Sequence, residues 1–157
     1  MIIDGNLLAQ TCVKAANLAR KRTNHNFHNS PNDHIQHMLN VLQPESYVQP
    51  HKHESPDKQE TFIILKGQLL VVLFNESGQE LSRCILCRDT EVYGIEIPPR
   101  TYHTIAALEK DTCVYEVKDG PYDPQTDKCF APWAPGEKDT ELAKKYLNNL
   151  ITKKPRL

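Results

Sequence analysis

The spacing of apolar residues predicts a helix near each end of the chain. Between about residues 6 and 21, apolar positions recur three and four residues apart, as on one face of a helix. A second stripe of this kind lies near the end of the chain, where Asp139 or Thr140 is the predicted cap. The apolar positions are Leu8, Cys12, Ala15 and Ala19 in the first stripe and Leu142, Ala143, Tyr146, Leu147, Leu150 and Ile151 in the second.

The centre of the chain has short apolar runs separated by turn residues, which predicts strands. No helix-length pattern separates these runs, so the strands are expected to pair antiparallel, because parallel pairing needs long crossover connections. The predicted fold class is therefore all-β, a barrel or jelly roll with short N- and C-terminal helices. The predicted strands lie at about 35–42, 46–51, 60–66, 68–74, 79–86, 91–97, 101–107 and 112–118.

A length of 157 residues suits one domain, which divides by pattern into three segments. Residues 1–34 are predicted to form a helix and a polar arm, and residues 35–119 the barrel. Residues 120–157 are predicted to form a loop rich in proline and aromatic residues and the second helix, packed on the same domain. Trp133 in that loop is predicted to serve packing more than sugar binding.

Composition excludes several classes of protein. A net charge of −1 with 39% hydrophobic and 25% charged residues is typical of a soluble globular protein. The longest apolar run, Leu69 to Phe74, is far shorter than the roughly 20 residues of a membrane span. The first residues lack the basic start of a signal peptide, so a cytoplasmic location is expected. Basic residues gather at the two ends without an aromatic-studded surface, which argues against a nucleic-acid partner.

Five cysteines are spaced without a disulfide pattern, which favours reduced thiols. Cys84 and Cys87 form one Cys-x-x-Cys pair, but a structural zinc site requires a second pair. The two residues are therefore predicted to be small buried hydrophobes.

The residues that carry chemistry are three histidines and one glutamate. His51 and His53 are two apart on a predicted strand, so both imidazoles point to the same side. Glu60 begins the next apolar strand, and His103 follows a proline-containing turn. Imidazoles suit Zn, Fe, Ni or Cu, and one carboxylate oxygen adds Mn to these metals.

This order of residues resembles the cupin superfamily. In its first motif a His-x-His pair precedes Glu and then Gly, as His51, His53, Glu60 and Gly67 do here. Its second motif contains Pro-x-Gly-x-x-His, which Pro98 and His103 match. The resemblance implies an RmlC-like jelly-roll barrel, a double-stranded β-helix, in which His51, His53, Glu60 and His103 bind one divalent transition metal (Zn, Fe, Ni or Mn).

Four positions depart from the cupin motifs. Glu45 and Arg100 stand where cupins favour Gly, and Ala107 replaces an Asn of the second motif. The spacer between His53 and Glu60 is longer than the usual three or four residues. These departures concern turns and spacers more than ligands.

A closer resemblance, to the WbuC-type cupins of bacterial O-antigen (lipopolysaccharide) gene clusters, extends from residue 22 to residue 135. It implies a cupin metalloprotein in an O-antigen context, without a settled reaction. The shared blocks are Arg22-x-Asn24-x-Asn-x-His28, Gln36-x-Met38-Leu-Asn40, Tyr47-Val-x-Pro-His51-x-His53, Glu60-Thr-Phe with Gly67, Ile95-Glu-Ile-Pro98 to His103-Thr104, Glu116-Val-Lys-Asp-Gly-Pro-Tyr-Asp-Pro124 and Phe130-Ala-Pro-Trp-Ala-Pro135.

Five further residues are candidates for substrate binding. Arg22, Asn24 and His28 could reach over the barrel mouth to a hydroxylated or anionic ligand, or be solvated residues after a helix. Tyr102 lies next to His103, although adjacent strand residues point opposite ways. Lys118 shares its strand face with Glu116, so the two form a buried charge pair if that face is inward.

Three functions are open at this stage. The first is a metal-dependent isomerase or epimerase acting on a sugar or sugar nucleotide of lipopolysaccharide synthesis. The second is a non-haem Fe(II) oxygenase of a small polar substrate, and the third is a non-catalytic module in which a metal organises the ligand pocket. All three imply a small polar ligand such as a carbohydrate, and fold-level analogy suggests a homodimer.

Overall fold

The computed structural model describes residues 1–153, so the last four residues of the predicted 120–157 segment lie outside it. The described chain contains two helices, ten strands and a single 3₁₀ turn at Arg88–Thr90. The elements are α1 (Gly5–Asn17), β1 (Arg22–Asn26), β2 (Ile35–Leu42), β3 (His51–Lys52), β4 (Glu60–Lys66), β5 (Gln68–Phe74), β6 (Glu80–Cys87), β7 (Gly94–Ile97), β8 (Tyr102–Ala107), β9 (Thr112–Asp119), β10 (Cys129–Phe130) and α2 (Thr140–Thr152).

The strands form two five-stranded sheets in which every pairing is antiparallel. The first sheet has the order β1-β2-β9-β4-β7 and the second β10-β3-β8-β5-β6. Their inner faces share one apolar cluster that includes Phe62 and Val114 of the first sheet and Val71 and Ile105 of the second. This two-sheet arrangement confirms the predicted all-β jelly roll with terminal helices.

Helix α1 covers the outer face of the first sheet. Asp4 caps the helix by accepting a hydrogen bond of 2.9 Å from the Leu7 amide. Cys12 and Ala15, both on the predicted apolar stripe, are buried against Leu39 and Val41 of β2. The helix ends at Asn17, four residues before the predicted end.

Helix α2 and the preceding loop cover the outer face of the second sheet. Asp139 caps α2 at the Leu142 amide, 3.3 Å away, as predicted. The Trp133 ring lies 5.0 Å from the Phe74 ring and 5.8 Å from the Tyr102 ring. Trp133 thus serves packing in this outer layer. Neither helix within residues 1–153 is long and apolar enough to cross a membrane.

Two strands escape prediction, and one predicted strand is mostly absent. Residues 22–26 belong to the predicted polar arm, yet they pair along their whole length with β2 as β1. The short β10 also pairs in full, with β3. The predicted strand at 46–51 is irregular until His51. Backbone pairing partners, which have no local sequence signal, decide all three cases.

Candidate metal centre

The three histidines converge because they share one face of the second sheet. His51 of β3 and His103 of β8 are directly paired, and their ring centroids are 4.6 Å apart. His53 follows two residues later, with its ring 5.2 Å from that of His51 and 5.8 Å from that of His103. Cross-strand pairing and the two-residue period therefore place all three imidazoles together.

Glu60 approaches the histidines from the opposite sheet. It begins β4, where it pairs with Ile97 and Lys118. Its Oε2 is 2.9 Å from Nε2 of His103, and its Oε1 is 3.6 Å from Nε2 of His53. One possible ligand atom from each of the four residues lies within 4.8 Å of the others, and all four residues are buried. A bound cation would therefore link the two sheets.

Each imidazole is held by a backbone carbonyl at its Nδ1. His51 Nδ1 is 2.9 Å from the Gln49 carbonyl oxygen, and His103 Nδ1 is 2.9 Å from that of Thr101. His53 Nδ1 contacts the carbonyl oxygen of Asp127. Because a carbonyl only accepts, each Nδ1 carries the proton and each Nε2 keeps its lone pair for the shared centre.

Buried atoms without hydrogen-bond partners show that this centre fits a cation. Nε2 of His53, Nε2 of His103 and Oε2 of Glu60 make no hydrogen bond within residues 1–153. Nε2 lone pairs and a carboxylate face one another there with no proton between them. Such an arrangement is costly in a protein interior unless a positive charge fills it. The four residues could therefore hold one transition metal ion.

Electrostatics favours the metal-binding forms of His51 and Glu60. Burial, followed by the neighbouring Lys128 and His103, lowers the pKa of His51 well below its usual range. Burial alone would raise the pKa of Glu60, but His103 and His53 face its carboxylate, and the pKa is lowered well below the usual range. Neutral His51 and ionised Glu60 are the forms that bind metal ions.

Asp127 connects the spacer between His53 and Glu60, and the strand β9, to the metal-ligand cluster. Its carboxylate accepts hydrogen bonds from Lys58 Nζ at 2.7 Å and from Lys118 Nζ at 2.8 Å. All three side chains are buried. Since the Asp127 carbonyl also holds His53, this residue positions a ligand and anchors its loop. The longer spacer provides Lys58 for this network.

A second carboxylate, Glu116, lies deeper on the inner face of the first sheet. It is 6% exposed, and its Oε2 accepts a hydrogen bond of 2.8 Å from Asn40 Nδ2. The Asn40 Oδ1 atom is buried without a partner. Burial and the charge of Glu60 raise the pKa of Glu116 to about 7. The barrel interior therefore holds a carboxyl group that can exchange a proton near neutral pH.

Lys118 is the predicted substrate residue that lies beside the centre. It is buried on the inner face in register with Glu60, and Glu116 lies on the same face of β9. Burial by itself would lower the pKa of Lys118. The carboxylates of Glu60, Glu116 and Asp127 have the opposite and larger combined effect, so the pKa is raised. Both side chains of the pair considered for β9 face inward, and the ion pair of Lys118 is with Asp127.

Tyr102 and Arg22 lie away from the four ligand residues. Tyr102 packs on the outer face of the second sheet, with the Lys52 ammonium 4.8 Å from its ring centre. Arg22 pairs with Leu42, at the end of β2 opposite to the row that contains Glu60. Its guanidinium donates to the Tyr47 carbonyl and to Glu137.

Asn24 and His28 make local contacts. Asn24 is exposed, and its Nδ2 is 3.1 Å from the sulfur of Met38. His28 Nδ1 accepts a hydrogen bond of 3.2 Å from the His37 amide. No contact joins either residue to the four ligand residues within residues 1–153. A substrate role for these residues stays a prediction.

The motif departures are accommodated in turns. Arg100 adopts a left-handed conformation with φ of 60°, the region for which glycine is favoured, and its amide donates to the His53 carbonyl at 3.0 Å. Gly67 retains the glycine of the first motif. Its φ is 76°, and a Cβ at this position would lie 2.5 Å from Thr112 Oγ1. Glu45 is exposed in the turn after β2, and Ala107 is buried in the apolar cluster.

Sequence reasoning did not identify Asp127, Lys58, Asn40 or Lys128 as parts of this region. Asp127, Lys58 and Lys128 are common residues in loops with no motif around them, and Asn40 stands in a shared block that assigned it no role. The alternation that links Asn40 to the inner face was a usable signal, because β2 was predicted correctly. The loop residues had none.

A family model described as "Domain of unknown function (DUF6016)" matches residues 3–86, more than half of the chain. The chain belongs to this family. The matched range contains His51, His53 and Glu60, while His103 lies beyond it. No curated protein matches the chain in sequence.

Solved structures of cupin-fold proteins resemble this family member. CapF bound to the inhibitor 3-isopropenyl-tropolone has a TM-score of 0.59 and 22% identity over 73% of this chain and 32% of CapF. The capsular polysaccharide assembling protein CapF from Staphylococcus aureus gives 0.53 and 23% over 63% and 27%. The DUF6016 chain therefore spans about a third of the length of CapF.

Two smaller proteins also resemble the chain in fold. L-ribose isomerase from Cellulomonas parahominis with L-psicose has a TM-score of 0.54 and 14% identity over 71% of this chain and 70% of the isomerase. KdgF from Halomonas sp. has a TM-score of 0.50 and 18% identity over 66% and 83%. At these identities the likeness shows a shared cupin fold.

Proposed function

We propose that this protein is a metal-dependent enzyme that isomerises or epimerises a sugar or sugar nucleotide. The observation that carries the proposal is the convergence of the four buried residues, in which Nε2 of His53, Nε2 of His103 and Oε2 of Glu60 have no hydrogen-bond partner within residues 1–153. His51, His53, Glu60 and His103 would hold one divalent ion. Such an ion supplies electrophilic polarisation of a carbonyl or hydroxyl oxygen of the substrate.

Glu116 supplies the proton transfer that an isomerisation requires. Removing a proton from the carbon beside a carbonyl and returning it to the neighbouring carbon is balanced without an oxidant or reductant. A carboxyl group with a pKa of about 7 can act as both base and acid near neutral pH. Asn40 Nδ2, hydrogen-bonded to Oε2, orients this carboxyl group inside the barrel.

The proposed context is polysaccharide precursor synthesis in the cytoplasm. The residue blocks shared with WbuC-type cupins support an O-antigen or lipopolysaccharide role. CapF, a fold neighbour, is described as a capsular polysaccharide assembling protein, and another neighbour is an L-ribose isomerase. Both support a sugar-related substrate. A homodimer stays a prediction by analogy with other cupins.

The test follows solvent deuterium into sugars. Protein purified without an affinity tag is analysed for metals, then incubated in D₂O with a panel of aldoses, ketoses, hexuronates and nucleotide sugars. We expect about one metal ion per chain and deuterium at a carbon next to a carbonyl or hydroxyl carbon, detected by NMR. His51→Ala should lose both the metal and the exchange.

His34→Ala is the matched control, because His34 is exposed and outside the ligand cluster. It should keep the metal and the exchange. Metal binding without exchange of any panel member would contradict an isomerase and favour a metal-organised binding module. Oxygen uptake by the Fe(II)-loaded protein would instead favour an oxygenase.

A further inference from the structure

The segment from Asp127 to Phe130 crosses beside the metal-ligand cluster and carries two side chains that the proposed chemistry has not used. In β10, Phe130 pairs with His51 and Cys129 pairs with Lys52. Directly paired residues share a sheet face, so Phe130 lies on the His51 face. The two rings are 6.1 Å apart, and Phe130 is 49% exposed.

Lys128 lies between two residues that contact the ligand histidines. The carbonyl oxygen of Asp127, directly before it, contacts His53 Nδ1, and Phe130, two residues after it, pairs with His51. Cys129 points to the outer face, since its sulfur is 3.9 Å from the Tyr102 hydroxyl. The backbone at Lys128 therefore passes beside the metal-ligand cluster.

The charged groups that act on Lys128, and those on which it acts, agree with its position beside the cluster. Lys128 lowers the pKa of His51 in the second sheet and that of Glu116 in the first. Its ammonium thus lies within range of both inner faces. The residue is exposed, yet desolvation by the surrounding protein lowers the pKa of Lys128, an effect that Glu60 opposes.

Lys128 has no ionic partner within residues 1–153. The adjacent Asp127 carboxylate is held by Lys58 and Lys118. On the rim, Lys52 pairs with Glu54 and Glu76. Arg100 pairs with Asp57. Lys128 is therefore a cation beside the site that forms no ion pair of its own within the described residues.

The charges around the site sum to an excess of positive charge once a divalent ion is bound. Lys58, Lys118 and Lys128 contribute three positive charges, against the carboxylates of Asp127 and Glu60. The metal adds two more, and ionised Glu116 would remove one. A site with this balance favours a ligand that carries a negative charge.

We propose that Lys128 and Phe130 form the substrate-binding wall of the site, and that the substrate is a sugar bearing a carboxylate or phosphate group. Lys128 binds the anionic group, and the exposed Phe130 ring packs against the C–H face of the sugar. This inference rests on the proposed metal-dependent sugar chemistry and names its substrate class.

The test compares sugars that differ only in charge. Protein loaded with Co²⁺ is titrated with D-galacturonate and D-galactose, and with D-glucose 6-phosphate and D-glucose, while Co²⁺ absorption and binding heat are followed. We expect at least one anionic sugar to bind about tenfold more tightly than its neutral partner. The two pairs distinguish a carboxylate from a phosphate.

Variants test whether Lys128 causes the preference for the anionic sugar. Lys128→Gln should abolish it at unchanged cobalt content, and Lys128→Arg should keep it. Lys138→Gln removes an equal charge at an exposed position outside the site and should change nothing. Phe130→Ala should weaken both members of a pair equally.

Failure of this inference can be told from failure of the proposed function. A chain that takes up no cobalt contradicts the proposed metal site itself. A cobalt-loaded chain that binds neither anionic sugar, or binds each pair equally, contradicts only the anionic substrate. A preference that survives in Lys128→Gln assigns anion binding to the metal and overturns the role of Lys128.

Discussion

The two ends of the barrel interior lie on the same strands but hold different chemistry. Moving along the inner faces of β4, β8 and β9, apolar residues give way to charged and polar ones within four residues. The apolar end is one cluster of hydrophobic side chains, whereas the other end holds the metal-ligand cluster and its ion pairs. The inward series are Ile64, Phe62 and Glu60 in β4, Ala107, Ile105 and His103 in β8, and Val114, Glu116 and Lys118 in β9.

The difference shows how one sheet framework separates stability from chemistry. At the apolar end, burial stabilises the fold by about 25 cal/mol for each Å² removed from water, without any need for partners. At the polar end every buried group needs a hydrogen bond or a counter-ion. Four of the six buried side-chain atoms without a partner, in residues 1–153, belong to His53, His103, Glu60 and Asn40. The polar end could therefore hold a cation.

The largest expected effect is at the apolar end. Phe62 is 2% exposed, and Phe62→Ala should lower the free energy of unfolding by about 3–5 kcal/mol, because a cavity replaces the ring. Urea denaturation of the metal-free protein measures this loss. Ile63→Ala is the control on the opposite face of the same strand, where Ile63 is 40% exposed, and should cost far less. Equal losses would mean that the cluster does not carry stability.

Asp127→Asn breaks the ion pairs of the polar end. It removes the carboxylate that forms ion pairs with the buried ammonium groups of Lys58 and Lys118, which should cost about 3 kcal/mol. Asp89→Asn, at an exposed acid, is the control. A loss no greater than that of the control would show that the buried pairs contribute nothing.

The Asp127 effect should depend on pH in a stated direction. Burial would raise the pKa of Asp127, but Lys118 and Lys58 lower it below its usual value. Its stabilising contribution is therefore present above the unfolded pKa of about 3.9 and is lost as the pH falls through the folded value. Asp127→Asn should approach wild type in stability in strong acid, as urea midpoints across the pH range will show.

Glu116→Gln should stabilise the metal-free protein at alkaline pH. Burial and the charge of Glu60 raise the pKa of Glu116 in the folded protein to about 7. In the unfolded chain this carboxyl group ionises at a lower pH. The wild-type protein therefore loses stability as the pH rises from about 4.5 to 7. The gain in the variant should be at most about 3 kcal/mol at pH 8 and near zero at pH 4. Lys118 and Lys128 oppose the shift of this pKa. A pH-independent difference would contradict the raised pKa.

The smallest expected effect is in the turn before β8. Arg100→Gly removes the strain of a non-glycine residue in the left-handed conformation. It also removes the exposed ion pair with Asp57 and increases the conformational freedom of the unfolded chain. These contributions oppose each other, so the unfolding free energy should change little. Metal content should not change, and a loss of metal would show that the Arg100 turn positions His53.

The elements with a strong local pattern could be predicted from the sequence. The apolar stripe of α2, its Asp139 cap and the strand at 35–42 were all predicted correctly. The strand β1 was missed because Asn24 and His25 have no strand signal, and only pairing with β2 holds them. The ends of α1 and β3 were misplaced for a similar reason, since neighbouring elements set them.

The candidate site also contains residues that could be predicted from the sequence and residues that could not. His51 and His53 could be placed on one side by the two-residue period, and Glu60 and His103 were candidates from their positions at strand starts, which the cupin resemblance supported. The partners of these residues could not be predicted. Asp127 holds His53 from 74 positions away, and Asn40 holds Glu116 from 76 positions away.

The sequence by itself determined the alternation that sends some side chains inward, the helical stripes and the types of ligand residue available. These properties depend on neighbours within a few positions, where backbone geometry sets direction. The tertiary structure alone decided which inward residues meet, that Glu60 approaches from the other sheet, and that the segment from Asp127 to Phe130 passes beside the histidines. Those outcomes depend on strand register and sheet packing, which join residues distant along the chain.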